Sequence, residues 1–516
     1  MRQPWPPCCT PGWIARMRNT EASTSLALRF LEGAVWTSAR NLLQIAVSLV
    51  ALAVVARELG PETYGLFGIA MIVFGIAEMA AGGSASDFLV PRKLLEDGYT
   101  DATFWASLLS SIALALLLAE MAVPLAQLAG DARASEPLAA LAWVLPMAVG
   151  SRIPMALLAR DLRFRAIAQI SALATVASCI TGIVLAVRGA GAWTLVVMES
   201  VRAATVLVGS WWAVSWRPGL RLGWRDLHEL TRVWANTLAT YSLGYADLML
   251  PRLLVAHLLG PQALGLFNLA LRVPQELSRL LIDPLYDVAM SACARAKITG
   301  DDVQRLIIGL YGGARLIVWP TFLGMAALAP WLVPAMFGPQ WQAAVVAMQV
   351  LLLACVRTAT GSFNPAILYG TGHIRSSLVL FAFGCVMTVA LFPLLAPFGI
   401  VGAAAAMTGR MLLDWPLASS LIKRATGLPL RRQVGGSIGL LACAVLAALA
   451  IGVTGKILGP HVSSWVIVGA APLAGACVYL GALRWFTPET LRQAVEMLRA
   501  FVSRDKTRLE ALLARA

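Results

Sequence analysis

Residues Ala56–Ala70 read ARELGPETYGLFGIA, and Ala256–Ala270, at an offset of 200, read AHLLGPQALGLFNLA. Eight of the fifteen positions are identical, among them Gly60/Gly260, Pro61/Pro261, Gly65/Gly265 and Phe67/Phe267. Thr37/Thr237, Ala39/Ala239, Leu43/Leu243 and Asp87/Asp287 keep the same offset. Chance identity of Leu and Ala is high in apolar sequence. It is low for a Gly-Pro turn followed by Gly-Leu-Phe. Weak internal symmetry of this kind is how duplicated transporter halves show themselves.

The repeat sits in a chain that is 59% hydrophobic and 13% charged over 516 residues. Soluble domains are about 25% charged, so most of this chain's exterior must face lipid. That excludes a cytosolic enzyme, a nucleic-acid-binding domain and a secreted disulfide scaffold. A helix needs about 20 apolar residues to cross the hydrocarbon core. By that measure fourteen spans are predicted. The first two are Ala34–Ala56 and Tyr64–Asp87, the seventh and eighth Val233–Ala256 and Leu264–Met290, and the last two Gly435–Leu458 and Ser464–Leu483. Pro320, Pro330, Pro334 and Pro365 fall in the ninth and tenth, which are expected to be kinked or broken.

Net charge is +14. With the N-terminus inside, the predicted outer segments hold only Arg57, Arg133, Arg188 and Lys456, while the inner ones hold clusters such as Arg160, Arg163 and Arg165. A miscount by one span would swap the signs midway, and no swap occurs. Both termini are therefore expected in the cytoplasm. The basic excess marks cytoplasmic loops, not a nucleic-acid partner. The first and seventh spans then run in the same direction, so the halves are parallel repeats.

The expected fold class is an all-α polytopic membrane protein of about fourteen transmembrane helices, two parallel six-helix lobes and a C-terminal helix pair. Its parts are a cytoplasmic leader without structure (1–27), an N-terminal six-helix lobe (28–216), a basic cytoplasmic crossover (217–232), a C-terminal six-helix lobe (233–428), an extra helix pair (429–486) and an amphipathic cytoplasmic tail (487–516). The eight Cys contain no C-x-x-C and the four His stand alone, so neither a metal site nor a cofactor is expected. No G-x-x-x-x-G-K-[ST] is present, which argues against a P-loop nucleotide hydrolase. Every predicted outer loop is short, leaving little room for a glycosyltransferase or polymerase site.

An LGPxxxGLF turn after the first span, repeated with LGPxxLGLF after the seventh, resembles the polysaccharide and O-antigen flippases of the multidrug/oligosaccharidyl-lipid/polysaccharide exporter superfamily. Leu158–Arg165 (LARDLRFR), Trp216–Leu222 (WRPGLRL), Asp247 and Leu269–Arg272 (LALR) are similar to that family in the same order, and the likeness runs from Leu28 to Leu428. Glu276 and Asp283 depart from its often uncharged segment. The resemblance implies a V-shaped pair of lobes. It also implies a cargo, an undecaprenyl-pyrophosphate-linked oligosaccharide, moved from the inner to the outer leaflet by alternating access. A polysaccharide polymerase and a chain-length regulator are candidate partners besides the bilayer and the polyprenyl-pyrophosphate-linked oligosaccharide. The competing readings are a peptidoglycan-precursor flippase, a drug or solute antiporter of the same fold, and a scaffold that transports nothing.

Charges inside the spans are costly, about 2.5–3.5 kcal/mol each on insertion scales, so they mark wet or paired positions. In the eighth span Arg272, Glu276, Arg279, Asp283 and Asp287 recur at steps of three or four, one stripe of a helix. Either they form a self-neutralising ladder or they line a wet wall that offers guanidiniums to a pyrophosphate. Arg40, Asn41 and Gln44 in the first span receive the head group in one reading and pack against a neighbour in the other. In the seventh span, with Asn236 and Asp247, Pro251 leaves the carbonyl of Asp247 without its helical donor. A carboxylate beside a free carbonyl is a candidate ion-coupling site for Na⁺ or a proton. The alternative is a salt bridge, to Arg252 or across helices. Glu199–Arg202 and Arg410–Asp414 read as local pairs, and Arg152, Arg315 and Arg357 have no partner within helical spacing.

Overall fold

A Gly-Pro pair can end one helix and begin another with no loop between, and both copies of the repeat do so. Gly60 has φ 73° and ψ 171°, and Gly260 has φ 83° and ψ 178°. Only glycine enters that positive-φ region without strain. The extended ψ is what a following proline demands. Pro61 and Pro261 then open the next helix, where a missing N–H costs nothing.

The computed structural model describes residues 20–81, 97–161, 163–219, 224–286, 289–290, 293, 303–354, 357–435, 437–489, 492 and 496; the side chains of 20–43, 45, 97–99, 224–241, 360, 374, 434 and 437 are outside that description. The first helices are α1 (Thr20–Ala80), bent at Gly60 into two arms, α2 (Asp97–Glu120), α3 (Ala122–Ala129), α4 (Ser135–Ala142), α5 (Leu145–Gly150), α6 (Arg152–Arg160), α7 (Phe164–Val187) and α8 (Trp193–Ala213). There follow α9 (Trp224–Leu281), bent at Gly260, α10 (Val303–Phe337), α11 (Ala344–Ala354), α12 (Thr358–Gly361), α13 (Asn364–Gly370), α14 (Ile374–Leu395) and α15 (Gly399–Thr426). The chain ends with α16 (Leu430–Val434), α17 (Ser437–Leu458) and α18 (Ser464–Phe486).

The protein is all-helical among the described residues, and ten of its helical stretches are long and apolar enough to cross a membrane. Large apolar side chains such as Leu173, Val208, Leu394, Leu449 and Leu473 point outward, as a lipid solvent allows. Several expectations change in detail. α1 already runs from Thr20, inside the stretch 1–27 expected to be unstructured; Ala22, Leu26, Ala27 and Leu28 are good helix formers. The fourth expected span, Pro137–Leu158, is divided into α4, α5 and α6, with Pro146 and Pro154 near the starts of the latter two. The ninth, Leu306–Met336, despite three prolines, is the single helix α10, whereas the tenth, Trp341–Tyr369, is broken into α11, α12 and α13. Of the expected tail 487–516, only 487–489, 492 and 496 are described; Arg492 and Glu496 pair there at 3.2 Å.

α17 and α18 dock on α10. Ile451, Ile467 and Ala471 pack on Leu328 and Leu332, and Tyr479 Oη donates to the carbonyl of Leu316 at 2.7 Å. Arg315 of α10 lies over the rings of Tyr311 and Trp319 and donates to the carbonyls of Gln433 and Gly435. A cation against the last carbonyls of a helix is favourable, so Arg315 ties α10 to the α16–α17 connection.

At the Gly-Pro end the chain closes over itself. Pro61 has no N–H for the carbonyl of Arg57, and Gln340 Nε2 supplies one at 2.7 Å. Trp341, fully buried, donates Nε1–H to the carbonyl of Ala56 at 3.0 Å and meets Tyr64 edge-on at 5.8 Å. Arg133 pairs with Glu62 at 2.7 Å and with Asp131 at 2.8 Å; its hydrogen bonds hold the Asp131 carboxyl below the usual range. Trp341→Phe keeps the ring contact but removes the indole donor to the Ala56 carbonyl. It should cost about 0.5–1.5 kcal/mol, read as a lower Tm of the detergent-solubilised protein; an unchanged Tm would show that the bond is not made.

Candidate functional site

The second arm of α1 lies along α9, and glycines set how close it comes. A Cβ on Gly65 would stand 1.7 Å from the carbonyl oxygen of Pro261, and one on Gly265 would stand 1.9 Å from that of Pro61. The contact is reciprocal, as two copies of one motif about a two-fold axis require. Farther along, a Cβ on Gly68 would reach Asn268 Nδ2 at 2.7 Å, and one on Gly75 would reach Tyr245 Oη at 1.9 Å. The arms are thus in backbone contact at one end, and farther along Asn268 and Tyr245 reach into the seam at glycines.

Those side chains come from α9. Arg252 Nε donates to Asn268 Oδ1 at 3.2 Å, and its Nη1 donates to the carbonyl of Leu248 at 3.4 Å. Tyr64 lies within electrostatic reach of both Arg252 and Arg272. Arg272 Nε meets Glu276 Oε1 at 3.0 Å, and Arg279 Nη1 meets the same oxygen at 3.3 Å. Glu276 is buried, whereas the side chains of Arg272 and Arg279 keep 36% and 59% of their exposure. One carboxylate therefore anchors two guanidiniums whose outer faces remain accessible. The expected ladder is thus present for Arg272, Glu276 and Arg279. α9 as one continuous helix ends at Leu281; the chain turns at Ile282, and residues 283–286 and 289–290 are again helical. Pro284 withholds a donor from Leu280, at the interruption, while Asp283 is itself helical. Asp283 is exposed past that end, and Asp287 is outside the described residues.

The open cation site expected at Asp247 is filled by the chain itself. Arg410 of α15 places Nη1 2.8 Å from Asp247 Oδ1 and Nη2 2.9 Å from Oδ2. The same Nη1 reaches the carbonyl of Asp247, freed by Pro251, at 3.4 Å, and Thr388 Oγ1 at 3.2 Å. Helical spacing pairs Arg410 with Asp414, but that contact is the longer one, 3.7 Å. Asp247 is thus in an interhelical bridge and not paired to Arg252. Arg357 lies within electrostatic reach of Asp414. Two carboxylates and two guanidiniums share the region where α9 and α15 pack.

Of the first-span candidates, Gln44 packs on α7, its Nε2 donating to Thr175 Oγ1 at 2.6 Å. The side chains of Arg40, Asn41 and Asn236 are outside the described residues. Arg152 finds Glu78 at 2.6 Å, 74 residues away, and Arg202 pairs locally with Glu199. Sequence reasoning missed the roles of Arg252, Asn268, Tyr245 and Arg410. One signal was present: Asn268 stands where the first repeat has Gly68, a polar departure inside the best-matched stretch.

Residues 54–346 match the family described as polysaccharide biosynthesis protein. The chain belongs to that family. Among its curated relatives, the succinoglycan biosynthesis transport protein ExoT of Rhizobium meliloti is 24% identical over 460 residues, covering 88% of this chain and 92% of the relative. The lipopolysaccharide biosynthesis protein WzxC of Escherichia coli is 24% identical over 403 residues, covering 75% and 79%. Among solved structures, the lipid II flippase MurJ in an inward closed conformation superposes with a TM-score of 0.73 at 11% identity, covering 88% of this chain and 99% of that one. An inward-facing multidrug resistance MATE family transporter of the MOP superfamily follows at 0.59 and 17%, covering 74% and 95%. The fold is therefore that of the superfamily that the repeated turn resembles, and this family member is a multi-pass protein of the bacterial inner membrane.

Proposed function

We propose that the protein is a flippase that carries an undecaprenyl-pyrophosphate-linked oligosaccharide from the inner to the outer leaflet by alternating access. The observation that carries this is the Arg272–Glu276–Arg279 triad. It holds two accessible guanidiniums on one buried carboxylate inside an apolar span of α9, beside Arg252. Arg binds phosphate oxygens in a planar fork. The transport and polysaccharide roles in the names of ExoT and WzxC support the same cargo class.

The reading includes fourteen crossings. The bends at Gly60, Gly260 and Gly399 divide three of the long helical stretches, and the broken stretch from α11 to α13 supplies one more crossing. Both termini then lie in the cytoplasm and the closed Gly-Pro end is periplasmic. The working units are the lobes 28–216 and 233–428, joined by the crossover 217–232, with 429–486 as the extra pair. Arg40, Asn41 and Gln44 belong to the entry side of the path, and Asp283 and Asp287 to its cytoplasmic rim. Ion coupling runs through Asp247, with Asn236 on the same arm, and requires Arg410 to let go of the carboxylate first. A polysaccharide polymerase and a chain-length regulator are the partners that would receive and lengthen the cargo.

Paired replacement Arg272→Ala with Arg279→Ala tests the reading in a strain lacking its own copy. Losing two charge-assisted contacts should lower surface polymer by about tenfold or more and leave the lipid-linked repeat unit accumulating in the cell. A scaffold that transports nothing would keep export at the wild-type level, and that outcome would sink the proposal.

A further inference from the structure

One polar feature lies outside the α9 stripe. A cavity of about 420 Å³ opens between the second arm of α1 and α5, α6, α7 and α8. Its polar lining is Glu78, Ser151, Arg152 and Arg202, and its apolar lining includes Met155, Ile167 and Val206. The volume is at the small end of the range of about 300–1,000 Å³ for small-ligand sites. It therefore suits part of an oligosaccharide and not the whole.

The charge arrangement differs in kind from that of α9. There, two guanidiniums share Glu276. Here, each guanidinium has a carboxylate of its own: Arg152 meets Glu78 at 2.6 Å, and Arg202 Nε meets Glu199 Oε2 at 2.9 Å. The cavity is close to neutral, so it offers a phosphate little net attraction. Carboxylates accept hydrogen bonds and guanidiniums donate them. The side chains of Glu78, Arg152 and Arg202 keep 26%, 35% and 49% of their exposure, so acceptor and donor groups face the cavity side by side. A ring of hydroxyls, each both donor and acceptor, matches that pattern. Its C–H face matches Met155, Ile167 and Val206.

The cavity also connects to the phosphate side. Tyr245 Oη of α9 lies against Gly75, one turn before Glu78 on α1. Tyr245 is within electrostatic reach of both Glu78 and Arg252. A polar line thus runs from the cavity, past Tyr245, to Arg252 and the Arg272–Arg279 pair.

We infer that this cavity is a carbohydrate subsite, which takes sugar units of the cargo while the guanidiniums of α9 take its phosphates. The inference rests on the flippase reading and names the part of that cargo that α1, α6 and α8 recognise. Discrimination between cargoes by sugar number then comes from the first half of the molecule, and affinity for the carrier's phosphates from the second.

The test uses the full chain in phosphatidylethanolamine–phosphatidylglycerol vesicles. Its two probes are undecaprenyl pyrophosphate bearing one hexose and the same carrier bearing a complete oligosaccharide repeat unit. Translocation of each is measured for the wild type, for Ala156→Phe, which fills the cavity, and for Glu78→Gln, which keeps its shape but breaks the charge pairing. The ratio of oligosaccharide-lipid to hexose-lipid translocation should fall about tenfold in Ala156→Phe and severalfold in Glu78→Gln. Should Ala156→Phe fail to fold, the ratio for Glu78→Gln decides. An unchanged ratio in the folded variants, with both probes slowed equally or not at all, overturns the subsite and leaves the flippase reading intact. A wild type that moves neither probe overturns the flippase reading and the subsite with it.

Discussion

Gly65→Ala should abolish polymer export. The added methyl would stand 1.7 Å from the carbonyl oxygen of Pro261 and 2.5 Å from its carbonyl carbon. That obstacle is backbone, not the end of a flexible side chain, so no rotamer change relieves it. The arms of α1 and α9 must separate, and Gln340, Trp341 and Tyr64 then lose their places around Ala56 and Arg57. The proposed alternating access requires the Gly-Pro end to close in one state and open in the other. A chain that cannot close there is held open, and because interfaces are bistable the effect is all or none. Gly265→Ala should do the same through the carbonyl of Pro61. The measurement pairs export with the reactivity of a cysteine placed at Asn268 toward a membrane-impermeant maleimide. Export should fall to background and reactivity should rise, while the protein stays folded in detergent. Wild-type export by Gly65→Ala would show that this closed contact is no part of the cycle.

Arg410→Met carries the second large effect, on stability. It leaves Asp247 facing Thr388 and Asp414 with its guanidinium partner gone. Removing one member of a buried pair costs on the order of 3–5 kcal/mol, whereas replacing both members is often close to neutral. Arg410→Met should therefore lower the Tm of the solubilised protein sharply, and Arg410→Met with Asp247→Asn should recover most of the loss. The remaining pair, Arg357 and Asp414, keeps the region balanced. Strictly additive losses would mean that Asp247 and Arg410 do not act as a pair. The same variants report on coupling. Asp247→Asn should release transport from the ion gradient, and full retention of gradient dependence would remove Asp247 from the coupling route.

These two predictions differ in how far they were readable from the chain. Gly65 and Gly265 stood out at once, because a Gly-Pro turn and a Gly-Leu-Phe run recurred at one offset. Their positive-φ neighbours Gly60 and Gly260 behave as that dipeptide requires. Arg272, Glu276 and Arg279 were also legible, since steps of three and four put side chains together on any helix. The bridge of Arg410 to Asp247 was not. Local spacing offered Asp414 as the partner, and the missing donor at Pro251 suggested a loose ion in place of a tethered one. The carbonyl left free at Asp247 and a bridge across helices were both among the readings; that Arg410 makes the bridge was not.

Hydrophobic run length, charge in the connectors and helical spacing are properties of neighbouring residues, so the chain alone settled membrane residence, the repeat and the α9 triad. Glu78 and Arg152 are 74 residues apart and Arg410 and Asp247 are 163 apart. No spacing rule joins them, because their meeting depends on which helix faces packing brings together. The Gln340 and Trp341 bonds that cap the first Gly-Pro turn from 283 and 285 residues away arise in the same way. Tertiary packing thus decided which buried charges are neutralised in pairs and which guanidiniums keep an accessible face. That division separates a neutral cavity in the first half from the phosphate-binding stripe proposed for the second.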